Sequence, residues 1–315
     1  MRPLRFGLLG LGYFGRNYVR LLQGIKGAQL AAVAARTEET LSQFKSSLPA
    51  SVLKTNDASS VLKNPDIDCV VIATPPSTHL AFAKQALEQG KHVLVEKPMV
   101  PSLDDAKTLK AAVSKSGSTF MVGHQYVYND YIRYLHEAIK GNSLGSVKYV
   151  CGEHLGFQVR QDIGCLWDAA PHQLSMLHYL FNPGKIAEVI GSSAAISSSG
   201  FDDFAAAAVR FESGLLSTII VSCSGSQKVR KLTIVGDKKV AVFDDDATKD
   251  KLKFFSQSSS NSESIRLSAK EPLLNELEYF IHCINSSEKP LTGISGSYAV
   301  IEWLDKISTS IKKHQ

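Results

Sequence analysis

Lys97, Asp168 and His172 are the side chains whose surroundings suggest chemistry. Lys97 lies in His92-Val93-Leu94-Val95-Glu96-Lys97-Pro98. Three apolar, mostly β-branched residues in a row read as a short strand buried on both faces, as in a parallel sheet. Pro98 has no N–H for the ladder, so the strand stops there. An ammonium is thus delivered to the carboxyl end of a buried strand, the edge where open α/β sheets bind ligands. Burial there would lower a lysine pKa from about 10.4; the plain alternative is a lysine that snorkels into water. Asp168 and His172 stand four residues apart in the run from Trp167 to Leu177. With Asp168 as helix N-cap, Pro171 falls at the third helical position, where its missing N–H costs nothing, and His172 in the first turn. Imidazole can move a proton near neutral pH. The bland counterparts are an Asp168 that only caps and a His172 on a solvated face.

What would bring a cofactor to that edge stands at the start of the chain. A strand, Phe6-Gly7-Leu8-Leu9, runs into Gly10-Leu11-Gly12-Tyr13-Phe14-Gly15 and then a helical stretch, 17–23. Gly-x-Gly-x-x-Gly between a strand and a helix is a dinucleotide fingerprint. The glycines give the turn, the close approach of backbone to pyrophosphate and tight helix packing, and the helix N-terminus attracts the phosphates. Gly10, Gly12, Tyr13, Phe14 and Gly15 are the expected contacts; a glycine-rich turn that serves only packing is the alternative. A second strand, 30–34, ends in Ala35-Arg36-Thr37, where an NAD-binding fold would offer an acid to the ribose. The acid is missing and Arg36 stands beside the gap, ready for a 2′-phosphate, so NADP(H) is favoured and NAD(H) remains possible with Glu38 or Glu39 on the ribose.

Strand and helix signals then alternate: helical stretches at 37–48 and 57–62, a strand at 69–73, Thr74-Pro75-Pro76-Ser77 with Ser77 as the cap of a helix that ends at Gly90 and carries His79 in its first turn, a capping box at Ser102-Leu103-Asp104-Asp105 opening 103–115, and a strand at 119–122. That order specifies a doubly wound parallel sheet of Rossmann type over residues 1–123. After Gly123 the pattern changes. A helix over 130–140, capped by Asn129, precedes short alternating runs at 147–153, 186–194, 204–211, 215–222, 230–235, 239–243 and 252–255. These predict a mostly antiparallel sheet in an α+β domain spanning 124–315. Serine-rich stretches at 197–200 and 256–264 read as loops, and helices at 272–285 and 297–312 finish the chain.

Composition narrows the class. The 315 residues are 44% hydrophobic and 21% charged, with net charge +5 spread along the chain. The basic clusters are too small for nucleic acid. No apolar run reaches the roughly 18 residues of a membrane helix, and the amino terminus enters a strand without a secretory pattern. Five scattered cysteines with no Cys-x-x-Cys suggest reduced thiols in a cytoplasm-like compartment and no metal site.

Taken together, Gly-x-Gly-x-x-Gly at 10–15, Thr74-Pro75-Pro76-x-x-His79, Gly90-Lys91-His92-Val93 leading to Glu96-Lys97-Pro98, and Asp168-x-x-x-His172 resemble the glucose–fructose oxidoreductase and inositol 2-dehydrogenase (Gfo/Idh/MocA) family. The likeness runs through Gly123-His124 to the closing helix. It implies hydride transfer between a nicotinamide cofactor and a secondary alcohol or ketone of a sugar, inositol or nucleotide-sugar. Lys97 would bind and polarise the reacting oxygen, His172 act as general acid/base, and Asp168 orient it or contact the substrate. Thr74, Pro75, His79, Glu96 and Lys97 join Arg36 and the glycine loop around the cofactor. Tyr126, Arg160 and Trp167 line the substrate with His172. The second domain would have an open-faced sheet that makes homodimers or homotetramers, and Lys97-Pro98 can be cis. Ala169-Ala170-Pro171 departs from the family's usual Asp-x-Gly-x-His. Two other readings stay open: a dehydrogenase of a non-sugar carbonyl or diol, and a cofactor-sensing regulator without chemistry.

Overall fold

The computed structural model describes residues 2–156, 162–196, 200–225, 227–259 and 261–313. In chain order the elements are β1 (Leu4–Leu9), α1 (Gly15–Leu22), β2 (Ala28–Ala34), α2 (Glu38–Ser42), β3 (Leu53–Thr55), α3 (Ala58–Leu62), β4 (Cys69–Ile72), α4 (His79–Glu88), β5 (His92–Glu96), α5 (Leu103–Ser116), β6 (Phe120–Gly123), α6 (Asp130–Lys140), β7 (Val147–Leu155), α7 (Cys165–Phe181), β8 (Ile186–Ala194), β9 (Phe204–Phe211), β10 (Leu216–Ser222), β11 (Val229–Gly236), β12 (Lys239–Asp244), β13 (Leu252–Ser256), β14 (Ser262–Ile265), α8 (Pro272–Ser286) and α9 (Ile294–Lys313). They form two compact units, Met1–Gly123 with Leu273–Tyr298, and His124–Pro272 with Ala299–Gln315.

The first unit holds a six-stranded sheet in the order β3-β2-β1-β4-β5-β6, every pair parallel. Strand order reverses between β1 and β4, so the loops leaving their carboxyl ends diverge and open a crevice there. Cys69–Ile72 and Val93–Glu96 are buried throughout, as strands covered on both faces must be. Helix α5 shows how local chemistry sets the ends of an element. The Ser102 hydroxyl accepts the Asp105 N–H at 3.1 Å, and Gly117 closes the helix in the left-handed region at φ 68°, where an absent Cβ removes the steric cost.

In the second unit eight strands run β14-β13-β12-β11-β7-β10-β9-β8. All neighbours are antiparallel except β7 and β10. Burial alternates along β9 and β10, the mark of a sheet covered on one face. The covering element is α7, which packs on β7, β9 and β10. Tyr149, Ile190 and Leu216 remain exposed apolar residues.

Several expectations are corrected. Ser77 does not cap α4: a 3₁₀ turn over Pro76–Thr78 intervenes, closed by the Thr78 hydroxyl on the Pro75 carbonyl at 2.7 Å. The helix expected over 37–48 ends at Ser42. Leu53–Thr55 is a sixth parallel strand too short to show a pattern. Part of the expected loop 256–264 belongs to β14, whose polar Ser262-Glu263-Ser264 carries no apolar alternation and is ordered by pairing with β13. Residues 273–298, assigned above to the second domain, fold with the first unit. There the Phe280 ring meets Phe6 edge-on, centroids 6.3 Å apart, and Phe280 is fully buried. Replacing Phe280 with Ala leaves a cavity costing about 3–5 kcal/mol; urea unfolding followed by circular dichroism should show the loss.

Candidate functional site

The candidate residues of the first unit gather at one sheet edge. Leu9 pairs with Ile72, and Ile72 with Val95, so the segments leaving β1, β4 and β5 emerge side by side. Gly10 takes φ +94°, and a Cβ there would stand 2.4 Å from the Ala73 carbonyl oxygen; a Cβ on Gly15 would collide with the Gly10 carbonyl. Both glycines are thus required for the loop to nest between neighbours. A Cβ on Gly12, by contrast, would meet nothing within 4 Å, which leaves its backbone open to a ligand. Helix α1 begins there with no side-chain cap and no acid in its first turn, leaving orphan N–H groups and a positive dipole end for an anion. These donors fit a dinucleotide pyrophosphate. Tyr13 is 87% exposed on the loop, and Phe14 packs edge-on against Tyr18 at 5.9 Å.

Arg36 follows β2 and is exposed, with Ala35 before it and Thr37 after it capping α2. Thr74 is bonded through its hydroxyl to Thr78 at 2.6 Å, and Pro75 is exposed. His79, expected to face the cofactor edge, is fully buried. Its ring nitrogens lie 2.8 Å from the Thr74 carbonyl oxygen and 3.0 Å from that of Pro98. The imidazole thus sits between the β4 loop and the turn after β5, and in its neutral form its single N–H can serve only one of the two carbonyls. That turn begins with Lys97, half-buried and joined to Pro98 by a cis bond. Glu96 is buried and receives the Lys97 N–H at 3.1 Å.

In the second unit α7 carries both Asp168 and His172, 6% and 5% exposed. The expected cap is corrected. The helix starts at Cys165, so Asp168 is its fourth residue and Pro171 lies inside it. The cap comes from far away in sequence: Asp202 accepts the Leu166 N–H on its carboxylate at 2.7 Å and the Cys165 N–H on its carbonyl at 2.9 Å. Gly164 makes room, since a Cβ there would collide with the Asp202 carboxylate. His172 stays one turn beyond Asp168 on the same helix face.

Around His172 the structure assembles Tyr126, expected above among the substrate-lining residues, with His154 and Gln173, which the sequence pattern does not single out. His154, 1% exposed, stacks on the His172 ring with centroids 5.6 Å apart and planes 19° apart. Tyr126 sets its ring edge-on to both, 5.5 Å from His154 and 5.2 Å from His172. Burial, then the Asp245 charge, raises the Tyr126 phenol well above its ordinary range, so it stays neutral. The Gln173 amide lies 3.0 Å from His154 Nδ1 and 3.2 Å from the Ile220 carbonyl oxygen. Its NH₂ donates to both, which makes His154 Nδ1 the acceptor and puts the ring proton on Nε2. Gly152 allows this, because a Cβ there would stand 2.7 Å from the Gln173 amide. Period-2 alternation put β7 on a sheet, but nothing local marked His154 as the member facing α7. Trp167 is half-buried; Arg160 lies outside the described residues. Among the described residues no group of three His, Cys, Asp or Glu could hold a metal ion.

A parallel nucleotide-type sheet with a lysine at its carboxyl edge, in one chain with a one-sided, mostly antiparallel sheet and a buried histidine, is the composition of a two-domain oxidoreductase. Residues 4–124 match the family model described as oxidoreductase family, NAD-binding Rossmann fold, and residues 132–242 the GFO/IDH/MocA C-terminal domain. The chain belongs to the Gfo/Idh/MocA family. It is 30% identical over 197 residues to a 1-carboxy-3-chloro-3,4-dihydroxycyclohexa-1,5-diene dehydrogenase of Comamonas testosteroni, covering 59% of this chain and 49%, about half, of that relative. To the UDP-N-acetylglucosamine 3-dehydrogenase of Acidithiobacillus ferrooxidans it is 24% identical over 308 residues, 94% of each. The solved levoglucosan dehydrogenase complex with NADH and levoglucosan shares the fold at TM-score 0.91 with 19% identity, over 100% of this chain and 98% of that one.

The borrowed cap yields a prediction. Asp202→Ala should cost about 0.5–2 kcal/mol and speed amide exchange at Leu166, measured by hydrogen–deuterium exchange, with β12–β14 unaffected.

Proposed function

We propose that this chain is a nicotinamide-dependent dehydrogenase or reductase. It moves a hydride between NADP(H) and a secondary alcohol or ketone of a sugar, inositol or nucleotide-sugar. The observation that carries the reading is the edge where Lys97 emerges beside an open, uncapped glycine loop. The names of the UDP-N-acetylglucosamine 3-dehydrogenase and of the inositol 2-dehydrogenase/D-chiro-inositol 3-dehydrogenase of Lacticaseibacillus casei among its relatives support the substrate class. The Comamonas relative is named for a chlorinated cyclic diol, which favours a non-sugar diol as the second reading.

In this proposal the Gly10, Gly12 and Gly15 loop, with Tyr13 and Phe14, takes the pyrophosphate. Thr74, Pro75, His79 and Glu96 shape the neighbouring edge. Bound there, the nicotinamide ring supplies or accepts the hydride. Lys97 donates a hydrogen bond to the reacting oxygen and stabilises its developing negative charge, a stabilisation worth most where water is excluded. His172 takes or returns the hydroxyl proton, and Asp168, one turn earlier, orients the imidazole and stabilises its charged form. Tyr126 holds the His172 ring by its edge and lines the substrate with Trp167. No helix among the described residues is long and apolar enough to cross a membrane. A reducing, cytoplasmic setting and a homo-oligomer formed through the exposed apolar residues of the eight-stranded sheet belong to the same proposal.

Three measurements test it. Turnover should appear in an absorbance screen of sugars, inositols, nucleotide-sugars and cyclic diols with each nicotinamide nucleotide; none with any would refute catalysis, and diols alone would select the second reading. Lys97→Ala should lower kcat by about 10²–10³ with nucleotide affinity nearly unchanged. In fluorescence titrations NADPH should bind more tightly than NADH, and Arg36→Ala should erase that preference, a charge-assisted bond being worth about 1.5–3 kcal/mol. Equal affinities in the unmodified protein would remove Arg36 from the cofactor set.

A further inference from the structure

One buried carboxyl of the first unit has no part in the chemistry above. Glu276, on α8, is 0% exposed. Its Oε1 lies 3.3 Å from the Tyr18 hydroxyl, while its Oε2 has no hydrogen-bond partner among the described residues. The same hydroxyl lies 2.7 Å from Glu96 Oε1, and Glu96 Oε2 accepts the Lys97 backbone N–H. Glu96 pairs in register with Gly123, where a Cβ would stand 3.2 Å from Glu96 Oε1. Bare backbone therefore gives the Glu96 carboxylate its place.

Counting hydrogens decides how this cluster is wired. A phenol has one proton to donate. At 2.7 Å that proton serves Glu96, within the usual range for O–H···O, whereas 3.3 Å is long. The Tyr18 oxygen is then an acceptor toward Glu276, and the contact is a hydrogen bond only if Glu276 supplies the proton. Ionised, Glu276 would be a second buried carboxylate beside Glu96 with no donor left for it. Burial first, then the Glu96 charge, pushes the Glu276 carboxyl well above its ordinary range, in line with the same wiring.

We infer that Glu276 is the donor at the head of a buried relay, Glu276 to Tyr18 to Glu96, that positions the Lys97 backbone at the sheet edge. Glu276 acts through Tyr18 and Glu96 and is a positioning residue. Its effect on turnover rests on the role proposed for Lys97; the relay itself does not.

The test uses the full chain in unmodified, Glu276→Gln, Glu276→Leu and Tyr18→Phe forms, with thermal melts to establish that each is folded. The infrared spectrum of the unmodified protein should contain the carbonyl stretch of a neutral carboxyl that Glu276→Gln removes. Exchange of the Lys97 amide should quicken about tenfold in Glu276→Leu and in Tyr18→Phe. It should stay near the original rate in Glu276→Gln, whose amide can still donate to Tyr18. With a substrate from the screen above, Glu276→Leu should lower kcat about tenfold with unchanged nucleotide affinity, and Glu276→Gln should restore it. A neutral-carboxyl band that survives Glu276→Gln overturns the inference, as does Lys97 exchange unchanged in both Glu276→Leu and Tyr18→Phe. A role confined to packing would lower the melts and leave exchange at Lys97 and kcat untouched. Should no substrate turn over with any form, the functional reading fails while band and exchange still decide the relay.

Discussion

A strand buried on both faces can place a polar group only at its ends, and this constraint organises the first unit. Along β5, Val93, Leu94 and Val95 are sealed, so the chain can offer an ammonium only after them. Pro98 ends the ladder immediately beyond. Parallel pairing then lines up the exits of β1, β4 and β5, and residues far apart in sequence arrive at one edge without any contact between their side chains being needed to bring them there. The buried His79 ring lies between two loops of that edge, with one ring nitrogen near a backbone carbonyl of each.

The second unit solves a different problem. Asp168 and His172 are almost fully enclosed on a helix, and buried polar groups are tolerated only when their surroundings are specified. The specification is tertiary at each step. Asp202 caps the helix across 36 residues, Gln173 sets the His154 tautomer, and Tyr126 wedges two imidazoles. Small residues make these contacts possible: Gly164 under Asp202 and Gly152 under Gln173. A single methyl at either place would displace a carboxylate or an amide rather than fill a gap.

Position 276 illustrates the cost of leaving a carboxyl in a sealed space. It is kept within a relay whose other end is the backbone of the lysine, so a fold-level polar cluster and a candidate reactive group share hydrogen bonds. The segment that carries it, 273–298, returns from the end of the chain to the first unit. No local pattern announces that return, because an amphipathic helix reads the same whichever core it covers.

Much of the fold was legible locally. The glycine fingerprint, the sealed run before Lys97, the Ser102 and Asn129 caps and the alternating runs of the second sheet each arise from interactions within a few residues, so the residue types alone determine them. The start of α7, the partners of His172, the inward turn of His79, the three-residue strand β3, the polar edge strand β14 and the destination of α8 are decided by pairing and packing against other elements. Those contacts depend on which faces meet once the sheets exist, and one-dimensional spacing carries no record of that. From its sequence, then, the chain determined which groups stand at the ends of its elements; only tertiary packing decided which were capped, tautomer-locked or supplied with a proton.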